Sequence, residues 1–309
     1  MSQSSPRLAI LLTGAASLGL LAGCGGSSDG AASAKSSASA SRISVVASTD
    51  VYGDIVERIG GDRVDVTSII SDPDQDPHSY EADTRNQLAL SEAKIVVENG
   101  GGYDDFIDRM LKSGNASADV INAVEVSGRT APAGGELNEH VWYDFPSVSK
   151  IADHVADALG KADPDHAGTF TKNAAAFKKS LTALENKEAS LKSAHNGEGV
   201  AITEPVPGYL LAASGLVNQT PEEFSEAVEE GGDVSAKVLK ATLDLFPGKK
   251  VRALVYNEQT SGAQTEKVKS AAEAAGVPVV PVTETLPAGK DYLTWMNDNV
   301  DALVDALNK

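Results

Sequence analysis

The chain has 309 residues, with 44 acidic against 26 basic side chains and a formal net charge of −18. Such a surface repels nucleic-acid phosphates and anionic substrates and favours cations at long range. A single cysteine excludes any intramolecular disulfide, and the length suits two modest domains or one large one.

The N-terminus reads as an address. Arg7 is followed by an apolar stretch from Leu8 to Leu21, too short to span a bilayer comfortably, and then by Leu21-Ala22-Gly23-Cys24. That tetrapeptide resembles the bacterial lipobox, so residues 1–23 are expected to be a lipoprotein signal peptide and Cys24 the lipidated residue. A diacylglycerol there supplies two chains, enough for stable anchoring where one is marginal. From Gly25 to Arg42 the chain holds seven Ser, five Ala and three Gly among 18 residues, too little apolar surface for a core. Residues 24–42 therefore read as a lipidated cysteine and a disordered tether, with a reach of roughly 20–25 Å as a flexible coil.

The body opens with a strand over Ile43 to Ser48 and a helix over Val51 to Ile59, capped by Thr49 or Asp50 and ended by Gly60-Gly61. Val64 to Ile70 forms a second strand, and Asp83 or Thr84 caps a helix through Ser91. Ile95 to Val97 is a third strand, and Asn99-Gly100-Gly101-Gly102 turns into a helix near Tyr103 to Leu111. Strands alternating with helices predict parallel sheets with both faces covered, in which ligands bind beyond the carboxyl ends of the strands.

A helix over Ser147 to Leu159 and a turn at Gly160 to Asp163 come next. Asp163-Pro164 then starts a long helix whose apolar residues Phe170, Ala174, Phe177, Leu181, Leu184 and Leu191 fall on one stripe. Running to His195 it would be roughly 45 Å long, enough to brace two lobes as one strut. The α/β rhythm then resumes. Strands are predicted over Gly199 to Thr203, Val251 to Tyr256 and Val277 to Val282, with helices over Thr265 to Ala275 and Asp291 to Leu307. The expected organisation is an N-terminal lobe over 43–146, linking helices over 147–195 and a C-terminal lobe over 196–309.

Two of the five histidines sit in polar-aromatic loops, Asp76-Pro77-His78-Ser79-Tyr80-Glu81 and Asn138-Glu139-His140-Val141-Trp142-Tyr143-Asp144. Each loop is expected where a strand hands over to a helix. Glu204 and Glu284 share that position class, just past a strand end. A cleft between the lobes would gather His78, His140, Glu204 and Glu284, and two imidazoles with two carboxylates suit Mn²⁺, Fe²⁺ or Zn²⁺. Asp144 and Glu258 are candidate groups for fixing an imidazole. His154, His166 and His195 read as surface residues. The acidic run Glu222, Glu223, Glu226, Glu229 and Glu230 reads as a solvated helix face, and Trp142, Tyr143 and Tyr209 as walls of the cleft.

The body from Ile43 to Lys309 resembles the zinc- and manganese-specific solute-binding lipoproteins of bacterial ABC importers. Pro77-His78-Ser79-Tyr80-Glu81 matches the motif of the family's first ligand histidine, and His140, Trp142 and Asp144 match that of its second. The resemblance implies two α/β lobes joined by one long rigid helix, with the metal held between them. It implies Glu204, ahead of Gly208-Tyr209, as the third ligand and Glu284, where relatives usually have Asp, as the fourth. The stretch Arg129 to Asn138, where zinc-specific members carry a His-rich loop, has no histidine, which leans towards manganese over zinc.

The implied function is an exported, lipid-anchored metal receptor on the outer face of the cytoplasmic membrane. It would hold one Mn²⁺ or Zn²⁺ ion as transported ligand and deliver it to the ABC permease of the same importer. The expected protein is a monomer that is no enzyme and binds no nucleic acid. The alternatives are a surface adhesin and an exported metallohydrolase, though the chain lacks His-Glu-Xaa-Xaa-His.

Overall fold

The computed structural model describes residues 42–309 apart from 73, 74, 76, 79, 115 and 116. The signal peptide, Cys24 and all of the tether except Arg42 lie outside the described residues.

Each lobe is a four-stranded parallel sheet flanked by helices. In the first, β1 (Ile43–Thr49), β2 (Val64–Ile70), β3 (Ile95–Glu98) and β4 (Asp119–Asn122) lie in the order β2-β1-β3-β4. Register is set by pairs such as Val45 with Val66 and with Ile95. The second sheet, with β5 (Gly199–Ile202), β6 (Val217–Asn218), β7 (Leu254–Asn257) and β8 (Val279–Val282), has the matching order β6-β5-β7-β8. In both, the order reverses beside the first strand, which leaves a crevice at the carboxyl ends.

The strands are apolar on both faces because both faces are covered. Val45 and Ala47 of β1 point into a core that also takes in Val200 and Ile202 of β5 and Val280 and Val282 of β8. Val46, between them in sequence, points the other way, onto α2 (Thr84–Glu92) and α3 (Asp105–Gly114). On the outer face of the second sheet, Ala201, Leu254 and Tyr256 pack with Phe224, Phe246 and Val268. The central core is continuous from one sheet to the other. It is filled by α1 (Asp50–Gly60), α5 (Phe145–Ala162), α6 (Ala167–His195) and α11 (Tyr292–Leu307).

The 29 residues of α6 make a strut of about 44 Å at 1.5 Å per residue. Its buried side is the predicted stripe of Phe170, Ala174, Phe177, Leu181, Leu184 and Leu191, with Glu188 on the same line. Asn173 donates to the Ile59 carbonyl of α1 at 2.9 Å, and Lys187 donates to Asn297 of α11 at 2.8 Å. One helix thus grips elements packed against both sheets. Further ties run between lobes: the Tyr292 N–H donates to Asp54 at 3.0 Å, the Leu286 N–H to Asp50 at 3.1 Å, and the Tyr143 hydroxyl to the Thr283 carbonyl at 2.8 Å.

Several local expectations change. The break expected from Gly160 is absent, since α5 continues to Ala162, and Pro164–His166 form a 3-10 turn before α6. Asp163 caps no backbone N–H there, because its carboxylate is taken by Arg63 at 2.7 Å and His166 at 2.9 Å. The helix expected from Tyr103 starts at Asp105, leaving Tyr103 buried in the preceding turn. Among the elements left unassigned are β4, β6 and the short helices α4 (Ala123–Ser127), α7 (Gly208–Ala213) and α9 (Ala236–Leu243). The His140 loop does not follow a strand; it follows α4 and an irregular stretch from residue 128 onward.

Candidate metal centre

The second sheet delivers two carboxylates from strand ends. Glu204 lies two residues past β5 and Glu284 two past β8, and both are buried. Asn257, the last residue of β7, holds them together: its amide nitrogen donates to Glu284 Oε1 at 2.8 Å and to Glu204 Oε2. The Asn257 N–H is in turn anchored on Thr203 Oγ1 at 2.9 Å. Gln259 adds a brace by accepting from the Glu284 and Thr285 N–H groups and donating to Thr285 Oγ1.

The first lobe delivers the imidazoles. His140 is fully buried and packs against Trp142, with ring centroids 5.0 Å apart and the ring planes tilted by 60°. Asn138 Oδ1 lies 2.8 Å from His140 Nδ1 and 3.0 Å from its backbone nitrogen. An acceptor at Nδ1 places the proton there and leaves Nε2 as a lone-pair donor. Burial, and then the neighbouring His78, push the His140 pKa well below the ordinary value, so the ring is neutral and ready to ligate. His78 stands at the mouth, its side chain 26 % exposed, with Nε2 3.9 Å from Glu139 Oε1. Tyr103 meets both imidazoles edge-on, at 5.2 Å from His78 and 5.9 Å from His140. The Glu284 charge lies close enough to help burial raise the Tyr103 phenol well above its usual range.

One further carboxylate comes from α8 (Glu222–Glu229). Glu229 Oε1 lies 3.5 Å from His140 Nε2, and both atoms are buried without a hydrogen bond. Ligand atoms of His78, Glu139, His140 and Glu229 all fall within 4.8 Å of one another. Burial, and then the charges of Glu139, Glu204 and Glu284, raise the Glu229 carboxyl far above the carboxylate range, and burial raises that of Glu139. The cleft they share, about 1380 Å³, has no lysine or arginine among its described lining residues. Four carboxyl groups drawn together with no lysine or arginine beside them are an unbalanced set; a divalent ion offsets their mutual repulsion. Nitrogen with carboxylate donors fits Mn²⁺, Fe²⁺ and Zn²⁺.

The structure thus brings His78 and His140 into one four-atom group and sets Glu204 and Glu284 side by side within electrostatic reach of it. Two candidate supports are corrected. Asp144 reaches no imidazole in its hydrogen bonds; Arg129 claims it with a two-pronged pair at 2.8 and 2.9 Å, and Ser147 donates to it as well. Glu258 is exposed, because the period of the strand turns Asn257 inward and its neighbour out. Glu229 is corrected too: it belongs to the cleft and not to a solvated face, its side chain being 15 % exposed.

Sequence reasoning also passed over Glu139, Asn138, Asn257 and Tyr103. Glu139 and Asn138 lay inside the motif loop, and Asn257 at a strand end, so position was a usable signal for all three. Gly101 shows how tightly the site is drawn. Its φ is +70°, and a Cβ there would come 3.1 Å from that of Glu139.

The family model described as "Zinc-uptake complex component A periplasmic" (ZnuA) matches residues 45–306. Among similar proteins, the manganese-binding lipoprotein MntA of Halalkalibacterium halodurans is 27 % identical over 297 residues, covering 94 % of this chain and 95 % of that one. The metal ABC transporter substrate-binding lipoprotein SsaB of Streptococcus sanguinis is 24 % identical over 291 residues, covering 88 % and 92 %. Among solved structures, the periplasmic zinc binding protein TroA from Treponema pallidum aligns with a TM-score of 0.72 at 22 % identity, over 86 % of this chain and 99 % of that one. FpvC from Pseudomonas aeruginosa, in complex with Mn²⁺, aligns with a TM-score of 0.73 at 25 % identity over the same shares. With its family model spanning both lobes and the whole cleft, the chain belongs to the ZnuA family.

Proposed function

We propose that this protein is an extracytoplasmic receptor that captures one Mn²⁺ or Zn²⁺ ion and delivers it to an ABC permease for uptake. The observation that carries this reading is the convergence of two imidazoles and several carboxylates from opposite lobes on one cation-favouring cleft. The names of the relatives, metal and manganese ABC transporter substrate-binding lipoproteins, agree with it. The ion is cargo, and no bond is broken. His78 and His140 supply nitrogens, Glu204 and Glu284 supply oxygens, and Asn138 and Asn257 hold these groups in register.

In this reading the chain is exported, lipidated at Cys24 and held on the outer face of the cytoplasmic membrane. Among the described residues no helix is long and apolar enough to cross a membrane. The functional parts are an N-terminal lobe over 43–146, linking helices over 147–195 and a C-terminal lobe over 196–309. With α6 and the interlobe hydrogen bonds limiting hinge opening, release depends on local shifts of the loop that carries His78 and of the end of α8 that carries Glu229.

Native mass spectrometry of the purified full chain, offered Mn²⁺ and Zn²⁺ separately, tests this. One tightly held ion, lost in both His78→Ala and Glu284→Ala, supports the receptor with these ligands. A wild-type chain that retains neither ion sinks it.

A further inference from the structure

We infer that Glu229 is a direct ligand of the captured ion, raising its coordination above four and biasing the site towards Mn²⁺ over Zn²⁺. This rests on the receptor reading and deepens it. Nothing in the motif loops points to Glu229, which lies at the end of a short helix on the far lobe.

Three observations place it. His140 is fully buried, and its Nε2, the lone-pair atom left by the Asn138 contact, makes no hydrogen bond. The group it faces is Glu229 Oε1, at 3.5 Å and likewise buried without a hydrogen bond. That separation is too long for a hydrogen bond and suits two donors of one metal ion, each about 2.0–2.2 Å from it. Finally, Glu229 shares a 4.8 Å group with His78 and Glu139, so its carboxylate reaches both imidazole-bearing loops from the opposite lobe.

The consequence concerns coordination number. His78, His140, Glu204 and Glu284 alone make a four-donor set that zinc accepts as a closed tetrahedron. A fifth donor, the third carboxylate, crowds a tetrahedral ion, while oxygen-rich, higher-coordinate surroundings suit manganese. The outer residues of the same helix, Glu222 and Glu226, also line the cleft. Glu222 is exposed and Glu226 half-buried, and neither falls in the four-residue group around His140.

The test compares the full wild-type chain with Glu229→Gln, and with Glu226→Gln as a charge control, using Mn²⁺ and Zn²⁺ in separate chelator-competition titrations. Removing a ligand oxygen should weaken Mn²⁺ binding about tenfold or more, with Zn²⁺ changed less than about threefold, while Glu226→Gln leaves the ratio of the two affinities unaltered. The electron paramagnetic resonance spectrum of bound Mn²⁺ should change in Glu229→Gln alone. Melting of the metal-free variants checks that both fold. If wild type binds but Glu229→Gln keeps its Mn²⁺ to Zn²⁺ ratio, or Glu226→Gln shifts that ratio equally, Glu229 is no ligand. A folded wild type that binds neither ion overturns the receptor reading itself, and this assignment with it.

Discussion

Asn138 fixes the tautomer of His140. Its Oδ1 lies 2.8 Å from the imidazole Nδ1, while its own amide nitrogen donates to the Pro205 carbonyl on the opposite lobe at 2.9 Å. One side chain therefore orients the His140 ring and ties the two lobes beside it. Asn138→Ala should lower metal affinity about 10–100-fold, as loss of such outer-shell partners does. Titration with a chromophoric chelator measures this, and an affinity within threefold of wild type would show that packing against Trp142 is enough to orient the ring.

Asn257 donates to two buried carboxylates at once. Asn257→Ala removes that shared donor, and the metal-free protein should lose about 1–3 kcal/mol. Saturating Mn²⁺ should narrow the gap, because the ion then settles the same charges. Thermal melts with and without the ion give the comparison; an equal loss in both conditions would mean that Asn257 supports the fold and not the site.

Glu188 is a buried carboxyl on the apolar stripe of α6, with Oε1 unsatisfied among the described residues. Burial, and then the charges of Asp144 and Glu185, raise its pKa from 4.5 to about 8. The folded chain thus keeps a proton that the unfolded chain releases above pH 4.5. The contribution of Glu188 is fully present below that pH and is lost as pH rises through about 8. Glu188→Gln should leave Tm almost unchanged at pH 5. At pH 8.5 it should raise Tm by about 2–4 °C, the shift expected for 1 kcal/mol in a chain of this size. An identical shift at both pH values would rule out the titration.

Phe177 sits in the middle of α6, 4 % exposed, with its ring 6.0 Å from that of Tyr292 at the start of α11. Phe177→Ala should cost about 3–5 kcal/mol. Because the core runs unbroken from β1 to β8, the variant should still unfold in one transition by both circular dichroism and tryptophan fluorescence. Separation into two steps would show that the lobes fold independently.

Much of the architecture is legible in the sequence. Val64 to Ile70 is rich in β-branched residues and appears as β2 without a shift in boundary, and the apolar stripe of α6 is read residue for residue. These succeed because period and composition act within one element. Two short strands escape: β6 because two residues carry too little pattern, and β4 because only Ile121 of its four residues is buried. The Asp163 cap fails for a different reason: Arg63, 100 residues away, competes for the same carboxylate.

The sequence by itself determined the class of fold, the two histidine loops and the strand-end carboxylates, since strand-end position and motif spacing are local properties. Only the tertiary structure decided which of the other polar groups enter the cleft. Asn257 faces inward and Glu258 outward by one step of the strand period, and Glu229 leaves an acidic run to meet His140 because α8 packs Phe224 into the outer core. No local rule separates these residues from their neighbours. The packing of one lobe against the other sets their direction, and an acidic helix seen alone carries no trace of the imidazole it will face.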